Sequence, residues 1–279
     1  MSHAPRCVDG APPGIRLVAV DLDGTLLTSA KDVSPPTAAA LRALSQRGVK
    51  VVIASARPPR SVRHIYADLA LDTLQINYNG ALIWDEPNQR PIFHRPMGGE
   101  VVRAIVDSAR RAFDRVLVSC EIMDRWFTDR PDQTYTTETG RMFKPDVIGP
   151  IASFCDQPVT KLMLLGEPNM MQQLQSLISE QFREKVSVIH ADDDLLQIMD
   201  KRVSKAVALR KLAGLYRIRP REIMAIGDAP NDVGMLKLAG IAVAMNNAHD
   251  VVKQAAHWVA PSNDDHGVHA ALVRYGLCS

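Results

Sequence analysis

Residues 15–22, IRLVAVDL, are apolar at every position but Arg16 and Asp21. A half-exposed strand would alternate polar and apolar residues, so this run predicts a strand covered on both faces. VKVVIASA (49–56), REIMAIGD (221–228) and IAVAM (241–245) carry the same signature. The intervening spacing is helical. Ser34 and Pro35 open a predicted helix whose inner face is Ala38, Leu41 and Leu44, with Gly48 as its stop. A second helix is predicted over about 59–70, with Val62, Ile65 and Leu69 inward. LQINYNGALIWD (74–85) predicts short strands turning at Asn79-Gly80. Late in the chain, Ser204 caps a predicted helix to about Leu215, and NDVGMLKLA and 248–256 predict two more. HWVA (257–260) predicts a last strand. Strands alternating with helices in this way predict a parallel α/β sheet.

The middle of the chain has another rhythm. A helix is predicted at 101–113, strands at 115–123 and 159–167, and a helix at about 169–183. Two strands around a polar turn at Asp192–Asp194 account for 185–199. The expected organisation is therefore a flexible lead (1–14), an α/β core made of 15–84 and 200–279, and an inserted α+β domain at 85–199.

Composition narrows the classes. Of 279 residues, 46% are hydrophobic and 23% charged, as in ordinary globular chains. A net charge of +2 supplies no basic field for nucleic acid. No apolar run is long enough to predict a membrane span, and the lead lacks the apolar stretch of a signal peptide. Cys7, Cys120, Cys155 and Cys278 are scattered without a C-x-x-C pair, which predicts free thiols and a cytoplasmic protein rather than a disulfide scaffold or zinc site.

Polar groups then fall where buried elements end: Asp21 and Asp23, Ser55, Lys205, and GDAPND from Gly227 to Asp232. Residues two apart on a strand point the same way, so Asp21 and Asp23 are expected to share one space, where two carboxylates resist joint ionisation. A bound cation removes that conflict. Two or three aspartates suit a hard ion such as Mg²⁺. With a lysine and hydroxyl and backbone donors, the set describes a phosphoryl-transfer site in which a carboxylate can be the nucleophile.

DLDGTL, IASAR, the lysine of VSKAVAL and GDAPND occur in the order and spacing of the haloacid dehalogenase (HAD) superfamily, and the set resembles its Cof-type or IIB phosphatases. YNGALIWD and IAVAMNNA resemble that branch too, and the likeness runs from Ile15 to near the end. It implies a Rossmann-like core with a large inserted α+β cap of the C2 type that selects substrates. It implies Asp21 as nucleophile and Asp23 as general acid, then base, whose backbone carbonyl touches Mg²⁺. Ser55, Lys205, Asn231 and the turn at Gly24 would hold phosphate, with Asp21 at the phosphorus. Asp228 and Asp232 would complete the metal site. Arg57 and Asn79 are further candidates. Ala56 and Asn246 depart from the family, standing where Gly is frequent. The implied activity is a phosphatase of small phosphorylated metabolites, sugar phosphates first. A phosphomutase or phosphotransferase with the same intermediate and a non-catalytic phospho-ligand sensor are the alternatives. Oligomeric state is not legible.

Overall fold

The computed structural model describes residues 14–132, 134–135 and 138–278. The expected flexible lead, apart from Gly14, and Cys7 with it, lie outside the described residues. The chain forms two compact units, one of Met1–Arg90 with Ser204–Ser279, the other of Pro91–Val203.

In the first unit a five-stranded parallel sheet runs in the order Trp258–Ala260, Ile241–Met245, Ile223–Gly227, Leu17–Val20, Lys50–Ile53. Every residue of the three central strands is buried, which is why their sequences do not alternate. Helices Pro35–Gln46, Pro59–Asp68, Lys205–Leu215, Val233–Leu238, Asp250–Ala255 and Gly267–Arg274 accompany the sheet. Leu17, Leu41, Leu44 and Leu209 are fully buried. Each such side chain is worth about 1.5–3 kcal/mol when taken out of water. Ser34 precedes its helix as expected, but its hydroxyl donates to Thr37 Oγ1 at 2.9 Å instead of capping a backbone N–H. At Tyr78–Gly80 the backbone takes three left-handed residues in succession, with φ of 49°, 54° and 100°. Gly80 is required there, since a Cβ would stand 2.3 Å from the carbonyl oxygen of Ser204.

The second unit is a six-stranded sheet ordered Val186–Asp192, Leu195–Asp200, Lys161–Leu165, Leu117–Ile122, Arg125–Thr128, Val147–Ile148. All its pairs are antiparallel except the last. Helices Gly99–Ala112 and Pro168–Gln181 contribute Val102, Ile105, Met171 and Ile178 to one core with Val118, Cys120, Leu162 and Leu164 from the strands. Among the described residues no helix is long and apolar enough to cross a membrane.

Candidate active site

Three adjacent parallel strands end together, and the candidate residues follow their ends. The Asp21 N–H donates to the Ile226 carbonyl at 3.0 Å, and the Ala54 N–H to that of Val20 at 2.9 Å. Asp21, Ser55 and Asp228 therefore emerge along one carboxyl edge, where open α/β sheets bind their ligands.

Lys205 opens the helix Lys205–Leu215, with Ser204 capping it by accepting the Val207 N–H. Its side chain is 1% exposed, and its ammonium donates to Asp21 Oδ1 at 2.5 Å and to Asp232 Oδ1 at 2.6 Å. The other Asp232 oxygen accepts the backbone N–H groups of Asp228 and Ala229, each at 3.0 Å. Asp232 is thus an anchor for the GDAPND turn as well as a charge. Thr25 Oγ1 donates to Asp228 Oδ1 at 2.5 Å. Gly24 has φ +77°, and a Cβ there would come 2.4 Å from Asp228 Oδ2, so the turn after Asp21 accepts glycine alone.

Carboxylate oxygens of Asp21, Asp228 and Asp232 lie within 4.8 Å of one another. Against one Lys205 ammonium these three carboxylates leave a formal charge of −2, in a buried place. Burial pushes the Asp21 carboxyl well above its ordinary range, with Asp232 and Asp228 adding to the push and Lys205 opposing it. Burial and Asp232 likewise raise Asp228 against the Thr25 hydrogen bond. Lys205 is raised as well: burial disfavours its charge, but Asp21 and Asp232 outweigh burial. A divalent cation with hard oxygen preference fits this donor set and its charge.

Asp23 is not one of the three clustered carboxylates. The strand ends at Val20, so the two-residue repeat no longer governs Asp23, which lies in the following turn. Its carboxylate accepts Arg57 Nε at 2.8 Å and Nη2 at 2.5 Å, and Lys31 Nζ at 3.0 Å. Burial would raise its pKa, but the Arg57 fork and then Lys31 hold it below the usual value.

The remaining candidates gather at the same edge. Ser55 is buried and its oxygen accepts the Arg57 N–H at 3.1 Å, which leaves its O–H to donate. The Asn79 N–H donates to the Ser55 carbonyl at 3.0 Å, and Asn79 Oδ1 accepts Asn231 Nδ2 at 2.8 Å. Ala56 and Asn246 are absent from the positive-φ residues, so neither position needs the glycine that is frequent there. Three contributors went unread in the sequence: Thr25, Lys31, and Asn247, whose Nδ2 donates to the Gly24 carbonyl at 2.8 Å. Thr25 lies inside DLDGTL; Lys31 and Asn247 carry no signal beyond loop polarity.

The family model of haloacid dehalogenase-like hydrolases matches residues 18–272. The chain belongs to that family. Among curated relatives, the 5-amino-6-(5-phospho-D-ribitylamino)uracil phosphatase YitU of Bacillus subtilis is 28% identical over 93% of this chain and 97% of its own. A crystal structure from Thermotoga maritima superposes with TM-score 0.84 at 29% identity, covering 93% of this chain and 97% of that one. A phosphatase of the same superfamily from Bacteroides thetaiotaomicron gives TM-score 0.78 at 26% identity over 99% and 100%. These relatives place the chain among the phosphatases of the family, hydrolases of phosphoric monoesters.

Proposed function

We propose that the chain hydrolyses small phosphorylated metabolites in a Mg²⁺-dependent reaction through a phosphoryl group carried on Asp21. The observation that carries this reading is the buried cluster of Asp21, Asp228 and Asp232 around Lys205, with its uncompensated charge.

Asp21 and Asp228 would hold Mg²⁺ together with the Asp23 carbonyl, and Asp232 would fix the turn behind them. The ion would neutralise phosphate oxygens. Lys205 keeps one Asp21 oxygen oriented, leaving the other to attack phosphorus. Ser55 O–H, Asn231 and the N–H groups of the Gly24 turn hold the phosphoryl oxygens. As the Asp21–phosphorus bond forms, the ester oxygen leaves and takes a proton from Asp23. Water then attacks phosphorus, giving its proton to Asp23, and the Asp21–phosphorus bond breaks to release inorganic phosphate. Arg57 and Lys31 favour ionised Asp23, which suits the second step; they have to loosen in the first. The unit Pro91–Val203 acts as the cap that selects substrates and excludes water. Sugar phosphates are the first class by resemblance, and YitU is named for a phosphorylated ribityl compound. The sulfhydryls of Cys120, Cys155 and Cys278 are free, in keeping with action in the cytoplasm.

Phosphate release from a metabolite panel, with Mg²⁺ or with EDTA, tests the reading. Wild type should release phosphate only with the metal, and Asp21→Asn should lose at least about 10⁴-fold in rate. Release that persists in EDTA or in Asp21→Asn would remove both the metal and the nucleophile from the proposal.

A further inference from the structure

We propose that a cavity inside the second unit binds a planar heteroaromatic ring of the kind a phosphorylated metabolite can carry. The link to catalysis rests on the phosphatase reading; the site itself rests on the second unit alone.

Strand alternation sorts that unit's sheet into two faces. Val118, Cys120, Leu162 and Leu164 lie in the helix-covered core. The alternate positions belong to the other face, and an antiparallel sheet facing away from its helices usually carries polar side chains there. Here Leu117, Met163, Leu165 and Leu195 form a separate buried apolar cluster, with Trp126 and Tyr135 packed against it. A cavity of about 440 Å³ is built on Leu117, Met163 and Leu165, with both aromatic residues in its wall. That is the size of a small-molecule site.

The chemistry of the wall selects the occupant. Trp126 spends its only donor inside the protein, on Ser119 Oγ at 2.6 Å. Ser119 in turn donates to the Phe127 carbonyl at 2.9 Å, and Tyr135 O–H to Glu167 Oε1 at 2.8 Å. These bonds pin the aromatic side chains and consume their donors. Arg130 and Asp132 also line the cavity, but Arg130 donates to the Val116 and Arg115 carbonyls and Asp132 accepts the Thr134 and Tyr135 N–H groups, so what the wall offers a ligand is mainly aromatic and aliphatic surface. Sugar hydroxyls placed here would exchange water for apolar contact, at a cost. A flat ring gains stacking and burial. Lys144 also lines the cavity and is exposed, which suits a carbonyl or ring-nitrogen edge turned outward. A nucleobase-like or pyridine-like ring meets these conditions better than a bare sugar, which brings no aromatic face to Trp126 and Tyr135.

Two arms test this with the full chain. In the first, calorimetry measures binding of uridine, adenosine and pyridoxine, none of which carries phosphate. At least one should bind wild type, and Trp126→Ala and the cavity-filling Met163→Trp should each weaken that binding about tenfold or more. Circular dichroism melts confirm that both variants are folded. In the second, kcat/KM is compared for uridine 5′-monophosphate and ribose 5-phosphate, which differ by the ring. Wild type should favour the ring-bearing ester, and the ratio should fall about tenfold in Trp126→Ala. No binding of any of the three probes, or binding indifferent to both variants, overturns the cavity assignment. A ratio indifferent to Trp126→Ala overturns its link to the substrate. If no ester is hydrolysed at all, the phosphatase reading fails, and the first arm still decides the cavity.

Discussion

Lys205 sits at a position where its helix disfavours it. A cation at a helix start faces the positive end of the macrodipole. Its ammonium stays there because Asp21 and Asp232 flank it in a buried place. Removing the charge alone leaves two buried carboxylates facing each other. Lys205→Met should therefore destabilise the metal-free protein by about 3–5 kcal/mol, read by urea unfolding in EDTA. A loss within error of zero would mean that those carboxylates protonate at little cost, and that Lys205 holds no fixed charge pattern. The same scale explains Asp23. Sequence spacing put it beside Asp21 as a strand neighbour. The strand stops first, and the Arg57 fork and Lys31 fix its carboxylate.

At the scale of elements, buried strands and amphipathic helices followed their spacing closely. Ile223–Gly227, Ile241–Met245, Lys205–Leu215 and Pro168–Gln181 lie where apolar runs, a capping Ser and helical periodicity placed them. The four-residue strand Arg125–Thr128 and the two-residue strand Val147–Ile148 did not announce themselves. Strands this short hold through their neighbours, and their sequences carry too few residues for a period. One link within the second unit makes a pH prediction. His94 Nε2 lies 2.8 Å from Thr160 Oγ1, and burial holds the His94 pKa below its ordinary 6.5. The folded state thus resists protonation that the unfolded chain accepts. Stability is full above the unfolded pKa and falls as pH drops through it, down to the depressed folded value. His94→Asn should flatten the fall of Tm between about pH 7 and pH 5, measured by scanning calorimetry beside wild type. An unchanged slope would assign the acid sensitivity to other groups.

For the molecule as a whole, the uncompensated acids predict a link between folding and metal. An ion that binds the folded chain and not the unfolded one stabilises it by mass action, about 2.7 kcal/mol at a hundred times Kd. Mg²⁺ should raise Tm in wild type and EDTA should reverse the rise, in a dye-based or calorimetric melt. Asp228→Asn should abolish most of that response. A response that survives the substitution would move the ion away from the strand-end cluster. The same acids explain why the two ends of the sequence must meet: Asp21 and Lys205 stand 184 positions apart and share one hydrogen bond.

Local physics was legible in the sequence. Continuous apolar runs meant doubly covered strands, Ser34-Pro35 and Ser204 marked helix starts, and carboxylates at strand ends marked a charged site, because each depends on neighbours within one element. The motifs DLDGTL, IASAR and GDAPND named the candidate residues through their resemblance to a family. Which atoms meet was decided only in three dimensions. That Asp232 spends one oxygen on Lys205 and the other on two backbone N–H groups depends on packing between distant segments. So do the Thr25 contact to Asp228, the Asn247 contact to Gly24, and the pairing of Asp23 with Arg57. The aromatic cavity belongs here as well. Trp126 and Met163 are unremarkable in sequence, and only the register of antiparallel strands puts them together on the face opposite the helices.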